Sequence, residues 1–219
     1  MIIKNINLLE EKNTNNNTNY CIAIIGTNRT GKSVTAREIA IKWREKNEGE
    51  IWAFDPQNRF QEIATNFVYM HDKDWCKKAL KLKNGLLILD DYKLLPGLRK
   101  HQPSDEFAEL IYFRAQRNVD IIYICHNPAL LMNFITYFTS HYFIFYTESL
   151  DGSFERKIPN YILCKQASHL INDYVKHLGR GNYPNFPHII VDAERQKIIG
   201  QNINHEEYLK LKNDNDQNN

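Results

Sequence analysis

Residues 20–33, YCIAIIGTNRTGKS, decide the fold. The apolar run from Tyr20 to Ile25 has the composition of a strand buried on both faces. It passes directly into GTNRTGKS, Gly26 to Ser33, a full match to GxxxxGK[ST], and then into a helical pattern over 32–45 with Val34, Ile39, Ala40 and Trp43 among its apolar positions. Strand, glycine-rich loop and helix in that order form the setting in which this motif cradles phosphate. Gly26 and Gly31 are expected to take positive φ, so that N–H groups from about Asn28 to Ser33 face an anion at the positive end of the helix dipole. Lys32 is expected to reach the β- and γ-phosphates of ATP, and the Ser33 hydroxyl to ligate Mg²⁺. The expected nucleotide-binding set is therefore Gly26, Thr27, Asn28, Arg29, Thr30, Gly31, Lys32, Ser33 and Val34.

Outward from this loop the pattern alternates. EIWAFD, GLLILDD, VDIIYICHN and HYFIFYT read as further strands. Between them lie expected helices in FQEIATNFVYM (short, leading into an extended segment), DWCKKALKLK, SDEFAELIYFRAQRN and NPALLMNFITYF. Ser104, followed by acidic residues, caps the third of these. Short apolar runs separated by helices predict an α/β fold, a mostly parallel sheet with helices on both faces. Gly179 to Asn185 is a turn cluster, and HIIVDAERQKIIG reads as an edge β-hairpin with Ala193, Glu194 and Arg195 near its turn. A single domain over 1–211 is expected, with a short opening strand from Ile2 to Leu9, a polar loop over 10–19 and a disordered tail over 212–219.

At 42% hydrophobic and 25% charged, the 219 residues have the composition of a folded globular chain, and the net charge of +2 excludes a strong whole-molecule basic field. Local basic clusters remain: Lys77, Lys78, Lys81 and Lys83, and Arg99, Lys100 and His101, for which an ordinary solvated face is the simpler account. Cys21, Cys76, Cys125 and Cys164 lack metal-site spacing and read as reduced thiols. No apolar stretch approaches a bilayer span, so a cytoplasmic protein is expected, in the host cytoplasm if viral.

The acidic strand end supplies the second half of the site. GLLILDD puts two carboxylates at the C-terminal end of an apolar strand, the edge where open α/β sheets bind ligands. Asp90 is expected to hold Mg²⁺ through its water shell, and Asp91 to orient and deprotonate the attacking water. Asp55, in FDPQNRF, either contacts the site or positions its loop, or serves as an ordinary N-cap or turn former. VDIIYICHN ends in His126 and Asn127, either of which could sense the γ-phosphate or hold the attacking water, with His126 preferred. Arg114 and Arg117, three residues apart on an expected helix, either stabilise charge on a neighbouring subunit's nucleotide or pair with Asp105, Glu106 or Glu109. Arg180 is a weaker candidate.

The succession GTNRTGKS, FDPQNRF, LLILDD and FRAQRNVDIIYICHNP resembles the FtsK–HerA superfamily of DNA-pumping ATPases, in particular its viral genome-packaging branch, over roughly residues 20–150. It is also similar to the nucleotide-binding part of the zonular occludens toxin-like proteins. His126 stands where that family usually has glutamine, and Asp91 where it often has glutamate. The resemblance implies a RecA-like P-loop NTPase fold, a homo-oligomeric ring, and ATP-driven movement of double-stranded DNA, with a capsid or portal-vertex protein as a further partner. The zonular occludens toxin-like branch carries a membrane-spanning segment that this sequence does not show, so packaging with no membrane partner is expected rather than extrusion. Two other function classes share the loop: a small-molecule, nucleotide-type kinase, and a nucleotide-dependent assembly switch.

Overall fold

The computed structural model describes residues 19–69, 71–96, 98, 103–147, 155, 158, 161–178 and 186–203. Eight strands form one sheet: β1 (Cys21–Ile25), β2 (Ile51–Phe54), β3 (Asn66–Val68), β4 (Gly85–Leu89), β5 (Val119–Cys125), β6 (His141–Phe145), β7 (His188–Asp192) and β8 (Lys197–Gln201). Their spatial order is β3-β2-β4-β5-β1-β6-β7-β8. The first six are parallel, and β7 and β8 continue the sheet antiparallel from β6. The expected hairpin is therefore an edge extension of the main sheet.

Alternation along the strands divides two cores. Cys21, Ala23 and Ile25 of β1 face one side and Ile22 and Ile24 the other. Helix α1 (Lys32–Lys46) covers the second face with Ala36, Ile39, Ala40 and Trp43, whereas Val34, expected among its apolar positions, is exposed. The opposite face is covered by α2 (Trp75–Ala79), α3 (Asp105–Tyr112) and, beyond α4 (Asn133–Thr136), by α5 (Tyr161–Leu178). Asp120 ties layers together: one carboxylate oxygen accepts from Tyr20 N at 2.7 Å and the other from Trp43 Nε1 at 2.7 Å.

Several expected helices are shorter or broken. Residues 60–64 form a single turn, with Ala64 N donating to Phe60 O, before β3. Ser104 caps α3 as expected, its Oγ accepting from Phe107 N at 3.3 Å, but α3 stops at Tyr112. Residues 113–118 are turns ending at Asn118 with φ 54°, so Arg114 and Arg117 do not share a helix face. The helix expected over NPALLMNFITYF is split into a 3₁₀ turn, Pro128–Leu130, and α4. Tyr92 is the physical reason: its hydroxyl donates to Leu130 O at 2.7 Å and accepts from Met132 N at 3.1 Å, replacing helical hydrogen bonds with tertiary ones. The opening strand expected at 2–9, nearly all of the 10–19 loop, the 179–185 turn cluster with Arg180, the run Arg99, Lys100 and His101, and the tail lie outside the described residues.

Candidate functional site

Six parallel strands deliver their C-terminal ends to one edge of the sheet, and β1 sits where the chain switches from building one flank to the other, the usual place for a ligand crevice. The loop after β1 is held on both sides. Gly26 N donates to Cys125 O at 3.2 Å, and Thr27 N donates to Tyr146 O at 2.8 Å. Thr30 Oγ1 and Lys32 Nζ both donate back to Thr27 O, at 2.9 and 2.6 Å, so the loop curls around its own lysine. Asn28, Arg29 and Val34 lie exposed on its rim.

The two glycines act differently from expectation. Gly31 has φ 93°, but among the described glycines it alone is in the left-handed region; the other positive φ in the loop belongs to Arg29, at 65°. Gly26 is required for space, since a Cβ there would lie 2.5 Å from Phe145 Cβ. Close passage against the end of β6 and the loop's own Thr30 sets that demand, and it is invisible in a motif.

Lys32 is buried, and burial pulls its pKa down to about 8 against the opposing pull of Cys125, Asp90 and Asp91. A phosphate anion would restore the ammonium. Nucleotide affinity is therefore expected to hold below about pH 8 and to weaken above it, where binding must take up a proton, by up to about tenfold per pH unit. Calorimetric titration with ATP in buffers of different ionisation enthalpy checks this; an affinity flat from pH 7 to 9.5 contradicts it.

Asp90 and Ser33 meet across the sheet edge, with Ser33 Oγ donating to Asp90 Oδ2 at 3.0 Å. Burial, and then Asp91, push the Asp90 carboxyl above its ordinary range, while Ser33 and Arg59 oppose the shift. A hydroxyl and a carboxylate side by side are hard oxygen donors of the kind Mg²⁺ takes while keeping waters and substrate phosphates, and nearby Asp55 Oδ1 is buried without a partner. The residues fit the ion. Asp55 Oδ2 accepts from Phe60 N at 2.6 Å and its carbonyl from Asn58 N at 3.3 Å, so it forms the turn and positions the loop.

Asp91, at φ 51°, turns its carboxylate to His126, and Nε2 of His126 contacts Asp91 Oδ1. With Nε2–H donating, Nδ1 presents a lone pair, and this atom is buried without a partner. Asn127 caps the following 3₁₀ turn, its Oδ1 accepting from Ala129 N at 2.8 Å. An apolar cavity of about 250 Å³ lies beside the pair, lined by Tyr92, Leu94, Cys125 and Leu130 among others.

Arg114 and Arg117 lie at the opposite edge. Val119 N, at the start of β5, donates to Arg114 O, and the seven residues of β5 span about 20 Å to His126. Arg114 donates to Ile111 O and Phe138 O and stacks over the Phe138 ring; Arg117 pairs with Glu109 at 3.6 Å. The expected pairing with a helix carboxylate thus describes Arg117 alone, Arg114 being held instead by backbone carbonyls and an aromatic ring, and a contact of either to a neighbouring subunit remains a proposal. Lys77 and Lys78 pair with Asp74 and Asp72.

Arg59 is the residue that sequence reasoning missed. Its Nη1 donates to Ser33 Oγ and lies 4.0 Å from Asp90 Oδ2. The signal was present as an arginine a few residues beyond an acidic strand end, but only the return of the loop over α1 brings it to the site.

No family model and no curated protein matches the chain. Solved structures do. The genome packaging NTPase B204 from Sulfolobus turreted icosahedral virus 2, in complex with AMP, is similar at a TM-score of 0.64 and 15% identity, covering 85% of this chain and 98% of that one. B204, the DNA-packaging ATPase of Sulfolobus turreted icosahedral virus, gives 0.64 and 15%, covering 87% and 100%. The cytoplasmic domain of the type VII secretion ATPase EccC of Thermomonospora curvata gives 0.53 and 14%, covering 86% of this chain and 24% of that one. The fold is thus the one that the resemblance to the FtsK–HerA superfamily implies.

Proposed function

We propose that this chain hydrolyses ATP to move double-stranded DNA, packaging a viral genome. The observation that carries the hydrolytic half is the convergence of the curled loop and the acidic strand end, with Ser33 and Asp90 3.0 Å apart. The DNA-moving half is supported by the match over nearly the whole length of a genome-packaging NTPase.

The loop N–H groups and Lys32 would bind the triphosphate, with Lys32 exchanging Thr27 O for phosphate oxygens. Ser33 and Asp90 would hold Mg²⁺, which supplies charge neutralisation at the phosphates. Asp91, oriented by His126, would hold a water in line with the γ-phosphorus. As the water oxygen bonds to phosphorus, the bond to the β,γ-bridging oxygen breaks; the water proton passes to Asp91 and then to phosphate, and ADP leaves. The burial of Lys32 itself excludes bulk water from its ammonium and strengthens its charge interaction.

Double-stranded DNA is expected to stimulate ATP turnover severalfold, measured by phosphate release from the assembled protein. Turnover without stimulation would retain the ATPase and sink the motor. Mass measured in solution with ATP, Mg²⁺ and DNA tests the proposed ring, and a monomer that phosphorylates a nucleoside would support the kinase instead.

A further inference from the structure

Arg59 covers the two oxygens expected to hold the metal. Its Nη1 donates to Ser33 Oγ and approaches Asp90 Oδ2 at 4.0 Å, while Nη2 donates to Gln57. A guanidinium on Ser33 Oγ and a divalent cation bound at the same oxygen would lie within a few ångströms of each other, where their like charges repel. Arg59 must therefore move when the metal binds.

Its surroundings allow the side chain to move and the backbone to stay. The side chain is 46% exposed, against 3% for Asp90. The backbone is pinned before and after it: Asn58 N donates to Asp55 O with Asn58 at φ 56°, and Phe60 is fully buried with its N–H on Asp55 Oδ2. From this anchor the fork can reach only a few ångströms beyond Ser33, the region where the terminal phosphates of a bound nucleotide lie. A phosphate is the strongest acceptor there, and the planar fork matches its oxygens.

On the nucleotide reading above, we infer that Arg59 is a catalytic arginine supplied by the chain's own loop: it shields Ser33 and Asp90 before the metal arrives and transfers its hydrogen bonds to the terminal phosphate afterwards. Asp55 is then its positioning residue. This separates Arg59 from Arg114 and Arg117, which lie at the other edge of the sheet.

Two measurements test the inference on the full chain. Binding of a fluorescent ATP analogue is titrated with Mg²⁺, and kcat and KM for ATP are determined. Arg59→Ala is expected to lower the Mg²⁺ concentration at half-saturation by about 3- to 10-fold, because the competing cation is gone, and to lower kcat by at least about 100-fold with KM within about threefold. Arg59→Lys, which keeps the charge and loses the fork, is expected to retain the wild-type Mg²⁺ requirement and recover part of kcat. An unchanged Mg²⁺ half-saturation, or kcat within threefold of wild type, in Arg59→Ala overturns the assignment while leaving the ATPase standing. A wild-type chain that binds no nucleotide removes the premise, and the assignment with it.

Discussion

Lys32→Ala is expected to lower ATP turnover by at least about two orders of magnitude without unfolding the chain, the scale of removing one preorganised donor from a developing charge. Lys32 is 4% exposed and its ammonium rests on Thr27 O, the centre of the curled loop. Nothing else in the loop carries a buried positive charge; Arg29 points to its exposed rim. Stability should survive because Thr27 O still accepts from Thr30 Oγ1, and a desolvated ammonium is removed. The same pKa displacement, to about 8 from the model-peptide 10.5, gives a second readout. Between those values the unfolded chain binds the proton that the folded chain has released, so wild-type stability rises with pH across that window, and the increment should vanish in Lys32→Ala. Phosphate-release assays and urea unfolding at pH 7.5 and 10 check both. A variant retaining more than a tenth of wild-type turnover would show that the loop is not the catalytic phosphate site.

Gly31→Ala should be the most destabilising small substitution in the loop, costing about 2–5 kcal/mol as the sum of a left-handed backbone penalty and overpacking. The residue has φ 93°, and an added Cβ would lie 2.2 Å from Phe186 Cγ and 2.5 Å from Phe186 Cβ. Relief by rotation of a distant ring edge is excluded, because the base of the side chain is in the way. Phe186 itself is tied down: its carbonyl accepts from His188 Nδ1 at 2.9 Å and from Asn202 Nδ2 at 3.4 Å. His188 in turn stacks on Phe145 at 4.8 Å, and burial depresses its pKa, so a neutral ring held by that carbonyl anchors the segment. Pairing Gly31→Ala with Phe186→Ala should recover the packing share relative to Phe186→Ala alone and leave about 1–2 kcal/mol. Urea midpoints for the three variants measure this; Gly31→Ala within about 0.5 kcal/mol of wild type would contradict it.

Most strands were legible because each is a short apolar run bounded by polar residues. Helix lengths were not. The break at 128–132 comes from Tyr92, whose hydroxyl replaces helical hydrogen bonds, and at 113–118 the carbonyls of Arg117 and Asn118 accept instead from Asn84 N and Gly85 N. Helix α5 was missed altogether, although Cys164, Ala167, Ile171, Tyr174 and Val175 recur at helical spacing and bury one face. Its buried face also contains Ser168 and Asn172, whose hydrogen bonds to Thr147 disguise the apolar stripe as a polar segment.

Local order along the chain determined the phosphate loop, the acidic strand end and the parallel sheet, because a strand, a loop and a helix contiguous in sequence must also be contiguous in space. Tertiary structure gave the expected meeting of Ser33 and Asp90 its geometry, and it alone decided that Asp91 faces His126, that Arg59 returns to the site while Arg114 and Arg117 lie a strand's length away, and that Gly26 serves for space. Those are distances between residues 26 to 119 positions apart, set by strand order and loop return, and no periodicity in the sequence encodes them.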